Sequence, residues 1–260
     1  MTKIQLASDL HLDQYAREGM QAPFSVLPQA DLLVLAGDVD VGLQGMDFAR
    51  ELDVPVVYVP GVLEYSGLEP DMAALLMRFD ALRVPVHVLQ NSAAVINGIR
   101  FLGTTLWPNF GTPEALREPS HGFTAAMERY RRVLHNGGPL TYEALWARHQ
   151  AAVDWLTVQL AEPFDGPTVV VSHHAPHPKS IPGQGAHNPF EAVNTTRLTS
   201  LMPQVDYWLH GDVHVACDYR IENCRVVCNP VGTPADHRYP YSFAQKSNGY
   251  RSDLLLDVAG

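Results

Sequence analysis

The sequence predicts a mixed-sheet α/β fold, and three observations carry that reading. Short continuous runs of Val, Leu and Ile recur, each ending in a cluster of polar residues. Strands of this composition are covered on both faces. Helical patterns separate these runs early in the chain, whereas strands further along pair as hairpins, an arrangement beyond a simple doubly wound sheet.

In chain order, "KIQLASDLH" reads as a strand ending at Asp9 and His11, and "DLLVLAGDVD" as a buried strand ending at Gly37 and Asp38. A short helix is expected from Gly45 to Leu52, then the strand "VPVVYVPGVLE", which ends at Pro60 and Gly61. A helix from Pro70 to Leu82 carries Met72, Leu75, Leu76 and Phe79 at helical spacing. "AAVINGIRFLGT" is a hairpin, with Asn97-Gly98 as the favoured two-residue turn. The longest helix runs from Thr141 to Leu160, with Leu145, Ala152, Val153, Leu156 and Leu160 on one face. "TVVVSHH" and "VDYWLHGDVH" are strands that end in His173 and His174 and in His210, Asp212 and His214. "VACDYRIENCRVVCNP" closes a second hairpin near Glu222-Asn223. Three stretches look irregular: Pro108 to His121, His174 to Thr196 and Asn229 to Asp253. Long loops in a compact domain are usually functional, and sites in α/β sheets collect at the C-terminal ends of strands.

Composition narrows the function. The 260 residues carry a net charge of −10, and an acidic chain without basic runs is poorly built to grip a nucleic-acid backbone. No run reaches the length of a membrane span, and the N-terminus lacks the long apolar segment of a signal peptide. The three cysteines, Cys217, Cys224 and Cys228, are not at zinc spacing, and the odd count points to reduced thiols in the cytoplasm. In that setting the sequon at Asn194 is silent.

The polar residues at strand ends form one set: Asp9, His11, Asp38, His173, Asp212 and His214. Carboxylates mixed with imidazoles suit Mn, Fe, Zn or Ni. In Asp9-x-His11 and again in Asp212-x-His214, the period-two alternation of an extended segment would place both side chains on one face. His210 is positioned to support the second pair, and His174, His177 and His187 follow His173 on its loop. His87, His121, His135 and His149 read as structural or solvated, and Trp107, Phe110 and Phe123 as either an apolar cap or ordinary packing.

The ordered motifs resemble the calcineurin-like metallophosphoesterase superfamily. That family reads D-x-H, G-D, G-N-H-[DE], a His after a strand, then G-H-x-H. This chain has Asp9-Leu10-His11, Gly37-Asp38, Gly61-Val62-Leu63-Glu64, His173 and Gly211-Asp212-Val213-His214, spread over residues 4 to about 234. The resemblance implies two mixed β-sheets packed as a sandwich with helices on the outer faces, over 1–260 as one domain. It implies one divalent metal held by Asp9, His11, Asp38 and His214, and a second held by Asp38, His173 and the positions of Val62 and Asp212. It also implies hydrolysis of a small-molecule phosphomonoester or phosphodiester by a metal-held water attacking in line.

The chain departs from this pattern where chemistry is concentrated. Val62 cannot ligate, and Leu63 stands at the usual proton-donor position. Asp212 puts a carboxylate where the family has an imidazole, and in "VVCNPVGTP" Val231 and Thr233 replace an Arg and a Tyr. Glu64 remains, with orientation of its neighbours as its expected role. The expectation is a metallophosphoesterase-type hydrolase with one sound metal site, a weakened second site and reduced activity. The alternative is a non-catalytic or repurposed metal- or ligand-binding protein on the same fold, natural or engineered.

Overall fold

The computed structural model describes residues 1–110, 127–181, 196–238 and 247–259. His121, Phe123, His187 and Asn194 lie outside the described residues. The first sheet contains β1 (Thr2–Ala7), β2 (Leu32–Leu35), β3 (Val56–Tyr58), β4 (Val86–Val88) and β13 (Leu255–Val258), in the order β13-β1-β2-β3-β4. Its strands are parallel except for β13, which runs antiparallel beside β1.

The second sheet contains β5 (Ser92–Ile96), β6 (Ile99–Thr104), β9 (Thr168–Ser172), β10 (Tyr207–His210), β11 (Cys217–Ile221) and β12 (Cys224–Cys228), in the order β11-β12-β10-β9-β6-β5. The four middle strands are parallel and each edge strand is the antiparallel arm of a hairpin. A short antiparallel pair, β7 (Leu134–His135) and β8 (Gly138–Pro139), forms a separate two-stranded sheet. The Asn97-Gly98 turn has φ of 52° and 75°, the left-handed pair that a two-residue turn between twisted strands requires.

The sheets pack face to face. Ile4, Leu6, Val34 and Val57 of the first meet Phe101, Val169, Val171, Leu209 and Val227 of the second in one buried cluster. The outer face of the first sheet is covered through Met46, Ala49 and Met77. The outer face of the second is covered by the helix Tyr142–Ala161 through Ala152, Leu156 and Leu160. Thr141 caps this helix, its side chain accepting from the Ala144 N–H at 3.3 Å. The two-sheet sandwich therefore matches expectation.

One helix buries a different face from the one the large residues suggest. In Pro70–Asp80, the buried residues are Pro70, Ala73, Ala74 and Met77. Met72, Leu75 and Phe79 are 50%, 60% and 70% exposed. The helix sits close, and small side chains fill that seat better than Phe or Leu would. Leu75→Lys should therefore change stability by no more than about 0.5 kcal/mol. Met77→Ala should cost about 2–5 kcal/mol in thermal or urea unfolding. Equal losses in the two variants would contradict this orientation.

Candidate metal centre

Five of the six strand-end residues have left-handed backbone conformations: Asp9 (φ 52°), His11 (45°), Asp38 (53°), Asp212 (71°) and His214 (50°). Each costs an L-residue about 1–2 kcal/mol, and such strain concentrates at functional sites. It also changes the reason the side chains converge. β1 ends at Ala7 and β10 at His210, so Asp9/His11 and Asp212/His214 do not sit on an extended alternation. Left-handed residues curl both loops inward.

Backbone hydrogen bonds stitch these loops together. Asp9 N–H donates to Gly37 O at 2.9 Å, His11 N–H to Asp38 O at 3.1 Å, Gly211 N–H to His173 O at 2.9 Å and Gly232 N–H to Asp9 O at 2.8 Å. The packing needs glycine at two places. A Cβ at Gly37 would strike His173 and Gly61, and one at Gly61 would strike the Asp38 side chain.

Three overlapping groups of donor atoms result: Asp9, His11 and His214; Asp9, Asp38 and His173; and His173, His174 and Asp212. In the first, His11 Nε2 faces His214 Nε2 at 3.1 Å, and His214 Nε2 lies 3.6 Å from Asp9 Oδ1. Asp236 Oδ2 accepts from His214 Nδ1 at 2.8 Å, which turns Nε2 toward the centre, as carboxylates do for metal-ligating histidines. The donor set is that of a divalent-metal site, and its convergence fits such an ion. His173 Nδ1–H donates to Ala36 O at 3.0 Å, leaving Nε2 3.5 Å from Asp38 and 3.7 Å from Asp212. Among the described residues, His173 Nε2 and both Asp212 carboxylate oxygens are buried without a hydrogen bond. Orphaned acceptors of this kind call for a cation.

A cation from the chain is already present. Arg129 forms an ion pair with Asp212 and lies 3.7 Å from Asp38. It comes from the segment before Tyr130, whose hydroxyl meets His174 Nε2 at 3.1 Å. Neither Arg129 nor Asp236 was visible in the sequence pattern. Arg129 belongs to no family motif, and Asp236 lies beyond the β11–β12 hairpin, in the short helix Pro234–Arg238.

Electrostatics follow from burial and pairing. Burial opposes ionisation of Asp38, but His173, His11, Arg129 and the Leu63 N–H together hold its carboxyl well below the usual range. Burial similarly opposes charge on Asp212, and Arg129, His174 and His173 outweigh it. Burial and His214 push His11 down to about 4. Burial pushes His174 down to about 3. For His214, burial is outweighed by the hydrogen bond to Asp236 and the charge of Asp9, which lift it to about 9.

The loop Val59–Gly67 organises the centre through Glu64 and its backbone. Glu64 is fully buried and accepts from Asp38 N–H at 3.1 Å, Val39 N–H at 2.8 Å, Gly61 N–H at 2.8 Å and the Tyr58 hydroxyl at 2.8 Å. Leu63 N–H donates to Asp38 Oδ1 at 2.8 Å. Val62 packs with Tyr65, Trp107, Phe110 and Tyr130, so Trp107 and Phe110 are packing residues. Val231 is fully buried in the cluster on the outer face of the first sheet. His210 Nε2 meets Ser180 Oγ at 2.9 Å and its Nδ1–H donates to Gly211 O at 2.9 Å, bracing the Asp212 loop through the backbone. His177 caps a turn, accepting from Lys179 N–H, and His149 Nδ1–H donates to Trp107 O at 2.6 Å.

A mixed sandwich with carboxylates and imidazoles gathered at its strand ends defines a metallohydrolase. The profile of the calcineurin-like phosphoesterases matches residues 2–216, and the chain belongs to that family of metal-dependent phosphoesterases. A search of curated proteins finds no match. Among solved structures, the chain is similar to the phosphopantetheinyl hydrolase of Mycobacterium tuberculosis, with 18% identity, 93% of each chain covered and a TM-score of 0.69. It also resembles a putative 5′-nucleotidase from Staphylococcus aureus solved with alpha-ketoglutarate (14% identity, 89% of this chain and 48% of that one, TM-score 0.47). A third is GAP50, the anchor in the inner membrane complex of Plasmodium (12% identity, 95% and 76%, TM-score 0.49). At these identities the likeness concerns the fold alone. Among the described residues, no helix is long and apolar enough to cross a membrane.

Two predictions follow from the geometry. Glu64→Gln sets amide hydrogens against backbone donors in a dry site and should cost about 2–4 kcal/mol in unfolding, whereas a solvated loop acid would cost almost nothing. In the metal-free protein His214 holds a proton below pH about 9, which an incoming metal must displace. Mn affinity measured by titration calorimetry should therefore tighten as pH rises, by up to roughly tenfold per unit, and level off above that pH. A flat profile from pH 6 to 9 would contradict the assignment.

Proposed function

We propose that this chain, as one domain over residues 1–260, is a cytoplasmic metal-dependent phosphoesterase with an altered centre, acting on small phosphoesters whose leaving group departs without protonation. The observation that carries the reading is the convergence of His11 Nε2, His214 Nε2 and Asp9, with Asp38 fixed beside them by Leu63 N–H. Asp9, His11, Asp38 and His214 would hold a divalent metal, with Mn the first ion to try. When bound, such an ion polarises a phosphoryl oxygen and lowers the pKa of water.

The chain's own residues do the rest. Asp236 holds the His214 ring in register, and Glu64 holds the loops bearing Asp38 and Leu63. The loop around Leu63 supplies a backbone N–H to Asp38 but no side-chain proton for a departing oxygen. General acid help is typically worth roughly 10²–10⁴-fold. Alkyl phosphoesters, which leave as strong bases, bear this loss, and aryl phosphoesters largely escape it. The three free cysteines support a reducing compartment.

The absent proton donor favours one second reading, a metal- or ligand-binding protein without turnover. The two readings separate on an activated aryl phosphodiester. The enzyme reading expects hydrolysis that rises with added Mn and falls by about 10²-fold or more in Asp9→Asn. It also expects Val62→Asn with Leu63→His to accelerate an alkyl phosphoester by roughly 10²-fold. No turnover with any divalent metal, in the native chain or the double variant, would leave the binding reading standing.

A further inference from the structure

We propose that Arg129 is the resident second cation of the centre, a guanidinium fixed where a second metal would lie, so that the protein binds a single divalent ion. The inference rests on the reading of Asp9, His11, Asp38 and His214 as a metal site.

Three independent features support it. The first is position. The guanidinium pairs with Asp212 and stands 3.7 Å from Asp38. Asp38 and Asp212 are the two carboxylates that a second ion beside His173 and His174 would use, and His173 Nε2 is within 3.7 Å of both. A metal taking those groups would have to meet Arg129 first.

The second is charge. Asp9, Asp38 and Asp212 bring three negative charges into a buried space. Arg129 offsets the charge of Asp212 in place, and a second ion taking Asp212 would have to break that pair or lie beside the guanidinium, where like-charge repulsion and desolvation both oppose it. Asp212, the carboxylate found where the family has an imidazole, is the charge that Arg129 pairs with.

The third is the way the arginine is held. Val62, which stands at a lost ligand position, packs with Tyr130 in the cluster that includes Trp107 and Phe110. The Gly67 N–H donates to Arg132 O at 2.7 Å and the Leu134 N–H to Leu68 O at 3.0 Å. The loop that lost the ligand is therefore bonded to the segment that delivers the arginine. An Asn at Val62 would put an amide into that apolar seat.

The test is Mn stoichiometry on the full chain, by calorimetric titration and by metal content after desalting, for the native protein, Arg129→Ala and Arg129→Lys. The proposal expects about one Mn per chain in the native protein and in Arg129→Lys, and about two in Arg129→Ala, with the first binding step retained. Two Mn per chain in the native protein overturns it while leaving the metal site standing. One in all three proteins also overturns it, because Arg129 would not be what keeps a second ion out. No Mn in any of them refutes the metal-site reading and the proposal together. The native protein decides the first alternative by itself, so the test survives a variant that fails to fold.

Discussion

Three carboxylates buried within one small space are the constraint on which the rest of this structure depends. Asp9, Asp38 and Asp212 are each almost wholly withdrawn from solvent. Unbalanced charge of this density would not stay folded. The surrounding architecture answers it locally. Ser8 Oγ and the Asp212 N–H donate to Asp9, Leu63 N–H to Asp38, and Arg129 pairs with Asp212. His11, His173 and His214 supply imidazoles at the same point. The left-handed residues and the glycines at 37 and 61 follow from the same demand, since only tightly curled loops in backbone contact bring these side chains so close.

The loop Val59–Gly67 shows which parts of an active-site loop are structural and which are chemical. Its backbone still organises the centre. Glu64 accepts hydrogen bonds from three backbone N–H groups and one hydroxyl, tying the ends of β2 and β3 together. Its two central side chains face a different task. Val62 is committed to an aromatic cluster, and Leu63 contributes through its N–H. The frame that positions Asp38 is thus made of Glu64 and backbone N–H groups, with no part taken by the side chains of Val62 and Leu63.

Much of this was legible in the sequence because it rests on pattern. Apolar runs ending in Asp or His marked β1, β2, β9 and β10, and Asn97-Gly98 marked its hairpin. The ligand candidates Asp9, His11, Asp38, His173, Asp212 and His214 come together in space. What escaped depends on side-chain packing that no local period encodes. Arg129 sits in a turn with no motif, and its neighbour Tyr130 is anchored against Val62 from a distant part of the chain. Asp236 finds His214 only after the chain folds back through Gly232. The helix Pro70–Asp80 misled because counting large apolar residues favours Leu75 and Phe79, while the seat against the sheet fits Ala73, Ala74 and Met77. Val231 looked like part of the reactive loop and is core.

The most direct test of the central claim is anomalous diffraction from crystals grown with Mn, which locates the ion without reference to activity. The account predicts a peak bounded by Asp9, His11, Asp38 and His214. An empty position there, or density only beside His173 and Asp212, would contradict it.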